Sequence, residues 1–190
     1  GPDYYPEVQR GGDLTAQAFA SSPDGGGENM QLMFLMAINA ARRRIDLESA
    51  YFVPDELTLT ALRDAMKRGV RVRLVVPGPY VDSKVTRNAS QAQWGAMLQA
   101  GARMYRYQPA LFHNKLMVVD GYLTIGGSAN FDNRSFQLND EANINIYDHA
   151  FAAHMIEVID SDIARSRELT LAQWRERPWR QRLIDWLSSQ

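Results

Sequence analysis

The 190-residue sequence contains no cysteine. That excludes disulfide cross-links, thiolate zinc sites and a cysteine nucleophile, and leaves the compartment open. Lysine is scarce: Lys67, Lys84 and Lys115 are the only ones among 21 basic residues, the rest being arginine. Histidine occurs three times, at 113, 149 and 154. The formal net charge is only -1, whereas a general nucleic-acid binder more often carries a clear basic excess. Nucleic acid is therefore a disfavoured partner, although a local patch can do the same work. Long hydrophobic runs are missing as well. The longest strongly apolar stretch, Met33 to Ala41, is interrupted by Asn39 and falls well short of the roughly 20 residues a membrane-spanning helix needs. No secretory signal pattern is visible. Gly1-Pro2 reads as the remnant of a cleaved tag, with residues 1–11 as an N-terminal extension. What remains is an ordinary globular balance, 45% hydrophobic and 23% charged, long enough for one sizeable domain with a real core.

Apolar spacing predicts a helix over 28–44 ending in Arg42-Arg43-Arg44, cations suited to a helix C-terminus. A strand follows at 45–53, a helix opening at Pro54-Asp55 and stopping at Gly69, a strand at 70–76, a helix over 83–100 closed by Gly101, and a strand at 102–107. A possible strand at 14–20 precedes them. This β-α-β-α-β order implies crossover connections and a sheet with helices packed on it. Lys115–Val119 and Tyr122–Ile125 read as a hairpin around Asp120-Gly121. Glu141–Tyr147 alternates, with Ala142, Ile144 and Ile146 on one face and Glu141, Asn143 and Asn145 on the polar one. Residues 151–165 are helical in pattern. The fold class expected is α/β, a mixed sheet sandwiched between helices over 12–168, with a helical appendage over 169–190.

The densest chemistry lies in His113-Asn114-Lys115, then Asp120, then Gly127-Ser128-Ala129-Asn130. On a strand, residues i and i+2 share a face, so His113 and Lys115 point together. Attack on a phosphodiester needs a nucleophile, a proton donor for the leaving alkoxide and donors for the phosphoryl oxygens. His113 is the candidate nucleophile, since an imidazole is readily neutral near pH 7. Lys115 supplies a fixed positive charge, and Ser128, Asn130 and the backbone N–H at Gly127 can hold oxygens. Glu141 can steady the imidazole through its second nitrogen, as the orienting carboxylate of a triad does. Asp120 belongs to the pattern, but its place in an Asp-Gly turn already accounts for it and favours a structural role. His149 and His154 read as surface or packing residues.

These residues resemble the phospholipase D superfamily, whose signature is His-x-Lys-x4-Asp-x6-Gly-Ser-x-Asn. The match is complete at His113, Lys115, Asp120, Gly127, Ser128 and Asn130. The stretches Tyr51-Phe52-Val53-Pro54-Asp55, 129–140 and 166–178 are similar to bacterial cardiolipin synthases, and the likeness covers about 12–187, as the C-terminal half of such an enzyme. The resemblance implies His113, Lys115 and Asp120 as the catalytic set, with Gly127, Ser128, Asn130 and Glu141 at the substrate. It implies a covalent phosphohistidine, no cofactor and no metal. The substrate would be phosphatidylglycerol, at the cytoplasmic face of a bacterial inner membrane. It also implies a second motif, from a missing N-terminal half or a homodimer partner, because two histidines must face one phosphate and this sequence offers one. Two alternatives stand beside this reading: a dimeric metal-independent nuclease of the same superfamily, and a membrane-binding module whose chemistry has lapsed.

In the appendage, Trp174, Trp179 and Trp186 interleave with Arg175, Arg177, Arg180 and Arg182 and with Leu183, Ile184 and Leu187. Tryptophan and arginine beside aliphatic residues suit contact with an anionic membrane surface. The competing expectation is two short helices, broken at Pro178, packed back onto the domain.

Overall fold

The computed structural model describes residues 11–23 and 27–179. An eight-stranded mixed sheet forms its middle layer, in the order β1-β9-β7-β6-β2-β4-β5-β10. The central strands β2 (Arg44–Ser49), β4 (Arg71–Pro77) and β5 (Arg103–Tyr107) are parallel to one another. Their crossovers are α2 (Glu56–Lys67) and α3 (Lys84–Ala100). The other pairings in this sheet are antiparallel: β6 (Lys115–Val119) on β2, β7 (Leu123–Gly127) on β6, β9 (Glu141–Tyr147) on β7, β1 (Thr15–Ser21) on β9, and β10 (Ser166–Leu169) on β5. A two-stranded parallel patch joins β3 (Phe52–Val53) to β8 (Phe131–Asp132).

Strand alternation divides the core into two layers. On one face, Ile45, Leu47, Leu74, Val76, Met104, Met117 and Val119 meet α1 (Gly27–Ala40), α2 and α3. On the other, Val75, Tyr105 and Val118 meet Ala152 and Ile159 of α5 (His149–Ala164). The first layer is knitted by aromatics: Phe34 lies 4.5 Å from Phe131, ring centre to ring centre, with Phe136 of α4 (Asn133–Gln137) beside both. Each such ring contributes roughly 1.5–3 kcal/mol of burial.

Helix ends follow local chemistry. Asp55 caps α2 by accepting the Thr58 N–H at 2.9 Å, and Asp148 caps α5 by accepting that of Phe151 at 2.7 Å. Gly69, at φ +92°, ends α2 in a left-handed conformation that a side chain would strain.

Several expectations change. Helix α1 stops at Ala40, and Arg42, Arg43 and Arg44 do not serve its C-terminus; their backbone N–H groups donate to the Asp120 carboxylate at 2.8, 2.8 and 2.9 Å. The strand expected over 45–53 splits into β2 and β3 at Ala50-Tyr51. Ser166–Leu169 is a sheet-edge strand, and α6 (Leu171–Arg175) is one short helix opened by a Thr170–Gln173 capping box. Strand β9 faces the opposite way to the usual expectation: Glu141, Asn143 and Asn145 are buried, while Ile144 is 46% exposed. Trp174 packs onto α3 rather than outward. Its indole N–H donates to the Gln91 carbonyl, and a Cβ at Gly95 would meet its ring at 2.4 Å. Trp186 and the residues from Arg180 onward lie outside the described residues.

Candidate active site

The site forms at the end of the sheet where the parallel strands β2, β4 and β5 terminate, the usual location of sites in open α/β sheets. Strand β6 starts there, with Lys115 opposite Ser49 in register. The Ala50 N–H donates to the Asn114 carbonyl at 3.0 Å, fixing the approach of the preceding residues. Lys115 Nζ then lies 3.2 Å from His113 Nδ1 and 3.3 Å from Nε2, and donates to the His113 carbonyl at 3.0 Å. The imidazole itself is exposed. Tyr51 stands edge-on to it, ring centres 6.2 Å apart and planes at 87°. The Tyr51 hydroxyl donates to Asp82. Burial first, and the Asp82 carboxylate second, push the phenol up to about 12, so it remains a donor. The same bond holds the Asp82 carboxyl below its usual range.

The hairpin β6–β7 folds the second half of the motif back to the same end. Gly127 is required there, because a Cβ would sit 2.2 Å from Asn143 Oδ1 and 2.3 Å from the Ala142 carbonyl. Ser128 exchanges backbone and side-chain bonds with Ala142 and donates its hydroxyl to Glu141 Oε2 at 2.5 Å. Asn143 Oδ1 accepts the Ala129 N–H at 3.2 Å. These bonds explain the inverted burial of β9: its polar side chains turn inward to hold the 127–130 segment. Asn130 accepts the Tyr51 N–H on Oδ1 at 3.3 Å, and Ser49 bridges the two loops through the Tyr51 carbonyl and the Phe131 N–H.

Lys115 is shifted below the ordinary lysine range. Burial dominates, with Glu141, Asp82 and Asp132 opposing it. The Asp132 carboxyl is pushed up by burial, against the Ser135 N–H that it accepts at 2.7 Å as the N-cap of α4. On the opposite face of the sheet, directly behind the His113–Lys115 segment, lies a buried acid pair. Asn114 Nδ2 donates to Glu48 Oε2 at 2.9 Å and reaches Asp162 Oδ2 at 3.4 Å. Asp162 is also held by Arg165 at 2.5 Å. Desolvation, then the neighbouring Asp162, raises the Glu48 carboxyl to about 7 despite the Asn114 bond.

The structure therefore brings His113, Lys115, Ser128, Asn130 and Glu141 to one end of the sheet. The structure gives Asp120 and Glu141 other partners. Asp120 sits in the turn at the far end of β6, at φ 54°, and its carboxylate is committed to the three backbone N–H groups of Arg42–Arg44. It is separated from His113 and Lys115 by the length of a strand. Glu141 is bonded to Ser128 and Asn139 rather than to His113, so orienting the imidazole directly is not its task. Tyr51, Asp82 and the Glu48–Asp162 pair were not singled out as site residues in the sequence. The position of Tyr51 just past the end of a parallel strand was the available signal. The other histidines are elsewhere: His149 Nδ1 is 2.7 Å from the Gly121 carbonyl, and His154 lies beside Glu157.

The fold and the His-Lys constellation define a phospholipase D-like domain. The solved structure of Nuc, a phospholipase D family member from Salmonella typhimurium, superposes with a TM-score of 0.70 at 22% identity, covering 83% of this chain and 99% of that one. Phosphatidylserine synthase from Haemophilus influenzae Rd KW20 gives 0.71 at 16% identity, covering 95% and 45%. More narrowly, the chain belongs to the family described as cardiolipin synthase, PLD-like domain, whose model matches residues 34–163. It is 41% identical over 175 residues to Cardiolipin synthase A of Pseudomonas entomophila (strain L48), covering 92% of this chain and 36% of that protein. It is 34% identical over 187 residues to Minor cardiolipin synthase ClsB of Bacillus subtilis (strain 168), covering 98% and 46%. The chain thus spans about a third to a half of the length of these relatives. Among the described residues, no helix is long and apolar enough to cross a membrane.

Proposed function

We propose that this chain is one catalytic half of a cardiolipin synthase-like phosphatidyltransferase that forms a phosphohistidine at His113. The observation that carries the reading is the exposed imidazole with Lys115 Nζ within 3.3 Å of both its nitrogens, in a chain about 40% identical to cardiolipin synthases. A ring nitrogen of His113 attacks the phosphorus of phosphatidylglycerol. The P–N bond forms as the P–O bond to the headgroup glycerol breaks, leaving a phosphatidyl-histidine. Lys115 and the Asn130–Ser128 segment stabilise charge on the non-bridging oxygens. The leaving glycerol takes a proton from an acid, and the hydroxyl of a second phosphatidylglycerol, losing its proton to the same group, then displaces the histidine. Phosphatidylglycerol twice over becomes cardiolipin plus glycerol. Neither His149 nor His154 is placed to be that acid, which supports a second motif contributed by another half or another copy. The lipid substrate makes the cytoplasmic face of the inner membrane the expected place of work.

The test is covalent trapping. The chain, at high concentration or together with a second motif-bearing half, is incubated with phosphatidylglycerol labelled at phosphorus and quenched in alkali. The expected result is an alkali-stable, acid-labile label on His113, absent in His113→Ala. Undiminished labelling of His113→Ala overturns the assignment. Steady turnover at dilutions where the protein is monomeric overturns the need for a second copy.

A further inference from the structure

A second cationic site lies along the same end of the sheet, in a cavity of about 460 Å³ between α3, β5, β10 and α6. Four arginines line it, Arg87, Arg106, Arg167 and Arg177, the last donating to the Trp174 carbonyl at 2.8 Å. Arg106 and Arg167 are directly opposite each other across β5 and β10, so their side chains emerge on the same face. Arg87 enters from α3. The Nε atoms of Arg87 and Arg106 are both buried from solvent without a hydrogen-bond partner. Burial, then Arg87, then Arg167 push the Arg106 guanidinium below its ordinary range, and among the described residues no carboxylate opposes them. One acid, Glu168, also lines the cavity, and its carboxylate is engaged by Arg103 at 3.0 Å.

Placing like charges across a strand pair and burying their donors unpaired is costly. The Trp94 ring beside Arg106 offsets only part of that cost, and the walls are firmly built. Trp174 lies on Gly95, and the Arg106 guanidinium stands 5.9 Å from the Trp94 ring. Trp94 and Arg87 also line the narrow gap leading to Tyr51, Asp82 and Phe112, next to His113. Arginine forks match phosphate oxygens in geometry as well as charge.

We infer that Arg87, Arg106 and Arg167 form a phosphate-binding site separate from His113, taking the phosphate of an anionic lipid headgroup or free phosphate. The volume admits a phosphodiester with its glycerol. The lipid source rests on the function proposed above; the oxyanion chemistry does not.

Trp94 and Trp174 supply the readout. The 190-residue chain carrying His113→Ala, which removes the reactive imidazole, is titrated with inorganic phosphate while tryptophan fluorescence is followed. A saturable change is expected. It weakens by at least about tenfold in Arg106→Gln and in Arg167→Gln, each of which removes a charge-assisted hydrogen bond. Arg167→Gln lies on an exposed edge strand, so its result stands even if Arg106→Gln perturbs folding. Vesicles of phosphatidylglycerol that displace the phosphate, where phosphatidylcholine vesicles do not, identify the lipid source. Phosphate binding that neither vesicle disturbs identifies the free ion. No saturable change, or equal affinity in the parent and in Arg167→Gln, overturns the proposal.

Discussion

Replacing Glu48 by glutamine tests the electrostatics behind the His113–Lys115 segment. Glu48 is fully buried, and its carboxyl is raised from 4.5 to about 7 by desolvation and by the neighbouring Asp162. A raised carboxyl binds its proton more tightly folded than unfolded. The stabilisation is therefore complete below pH 4.5 and is lost as the pH climbs through 7. With about 1.36 kcal/mol per pH unit, a shift of about 2.5 units corresponds to about 3 kcal/mol between the two limits. For a domain of this size that is roughly 6–12 °C in melting temperature. Glutamine mimics the neutral acid: its carbonyl accepts from Asn114 and its amide donates to Asp162. Thermal melts from pH 5 to pH 9 should show the wild type losing stability against Glu48→Gln as the pH rises, with the variant the more stable above pH 8. Since groups away from this site titrate alike in both proteins, the difference between the two curves reports the coupled Glu48–Asp162 pair. Parallel curves would refute a neutral, shared-proton acid at this position.

Two further substitutions separate structure from chemistry. Asp120→Ala removes the acceptor of three backbone N–H groups and strains a residue at φ 54°; a loss of about 2–4 kcal/mol in denaturant unfolding is expected, with turnover per folded molecule unchanged. A fall in turnover at full folding would return Asp120 to the catalytic set. Burial pushes the Asp120 carboxyl up, but the Arg44, Arg42 and Arg43 N–H groups outweigh it and hold it low, so this contribution is present above about pH 4 and is lost on acidification. Gly127→Ala forces Asn143 and the Ala142 carbonyl apart. It should cost about 1–3 kcal/mol and lower turnover by displacing Ser128 and Asn130, and an active, fully stable variant would count against the close approach.

The alternating layers were legible because β2, β4 and β5 and their crossover helices carry apolar residues at the right periods, and the motif named its own hairpin. Less legible was the sense of burial. The alternation in 141–147 defines two faces but not which one is inside; Asn143 and Glu141 are interior because Ala129 and Ser128 need acceptors there, a demand arising 13 or 14 residues away. Strand β10 was hidden because Ser-Arg-Glu-Leu lies on an exposed edge, where nothing imposes an apolar period. The Arg42–Arg44 run reads as a helix terminus in isolation, and only the return of the hairpin brings Asp120 to its backbone. Tyr51 and Asp82 come from loops after two different strands, so no linear spacing links them.

The intervals between the motif residues are the dimensions of a hairpin. Five residues up β6, a turn pinned to the chain before β2, and five residues down β7 return the amide and hydroxyl to the level of the imidazole. Adding one residue to either arm would rotate half the constellation to the wrong side of the sheet, and adding two to both would lift the tip away from its anchor. The spacing is therefore a ruler cut to the height of this one sheet, and it tolerates substitution between its marks far better than any change in length.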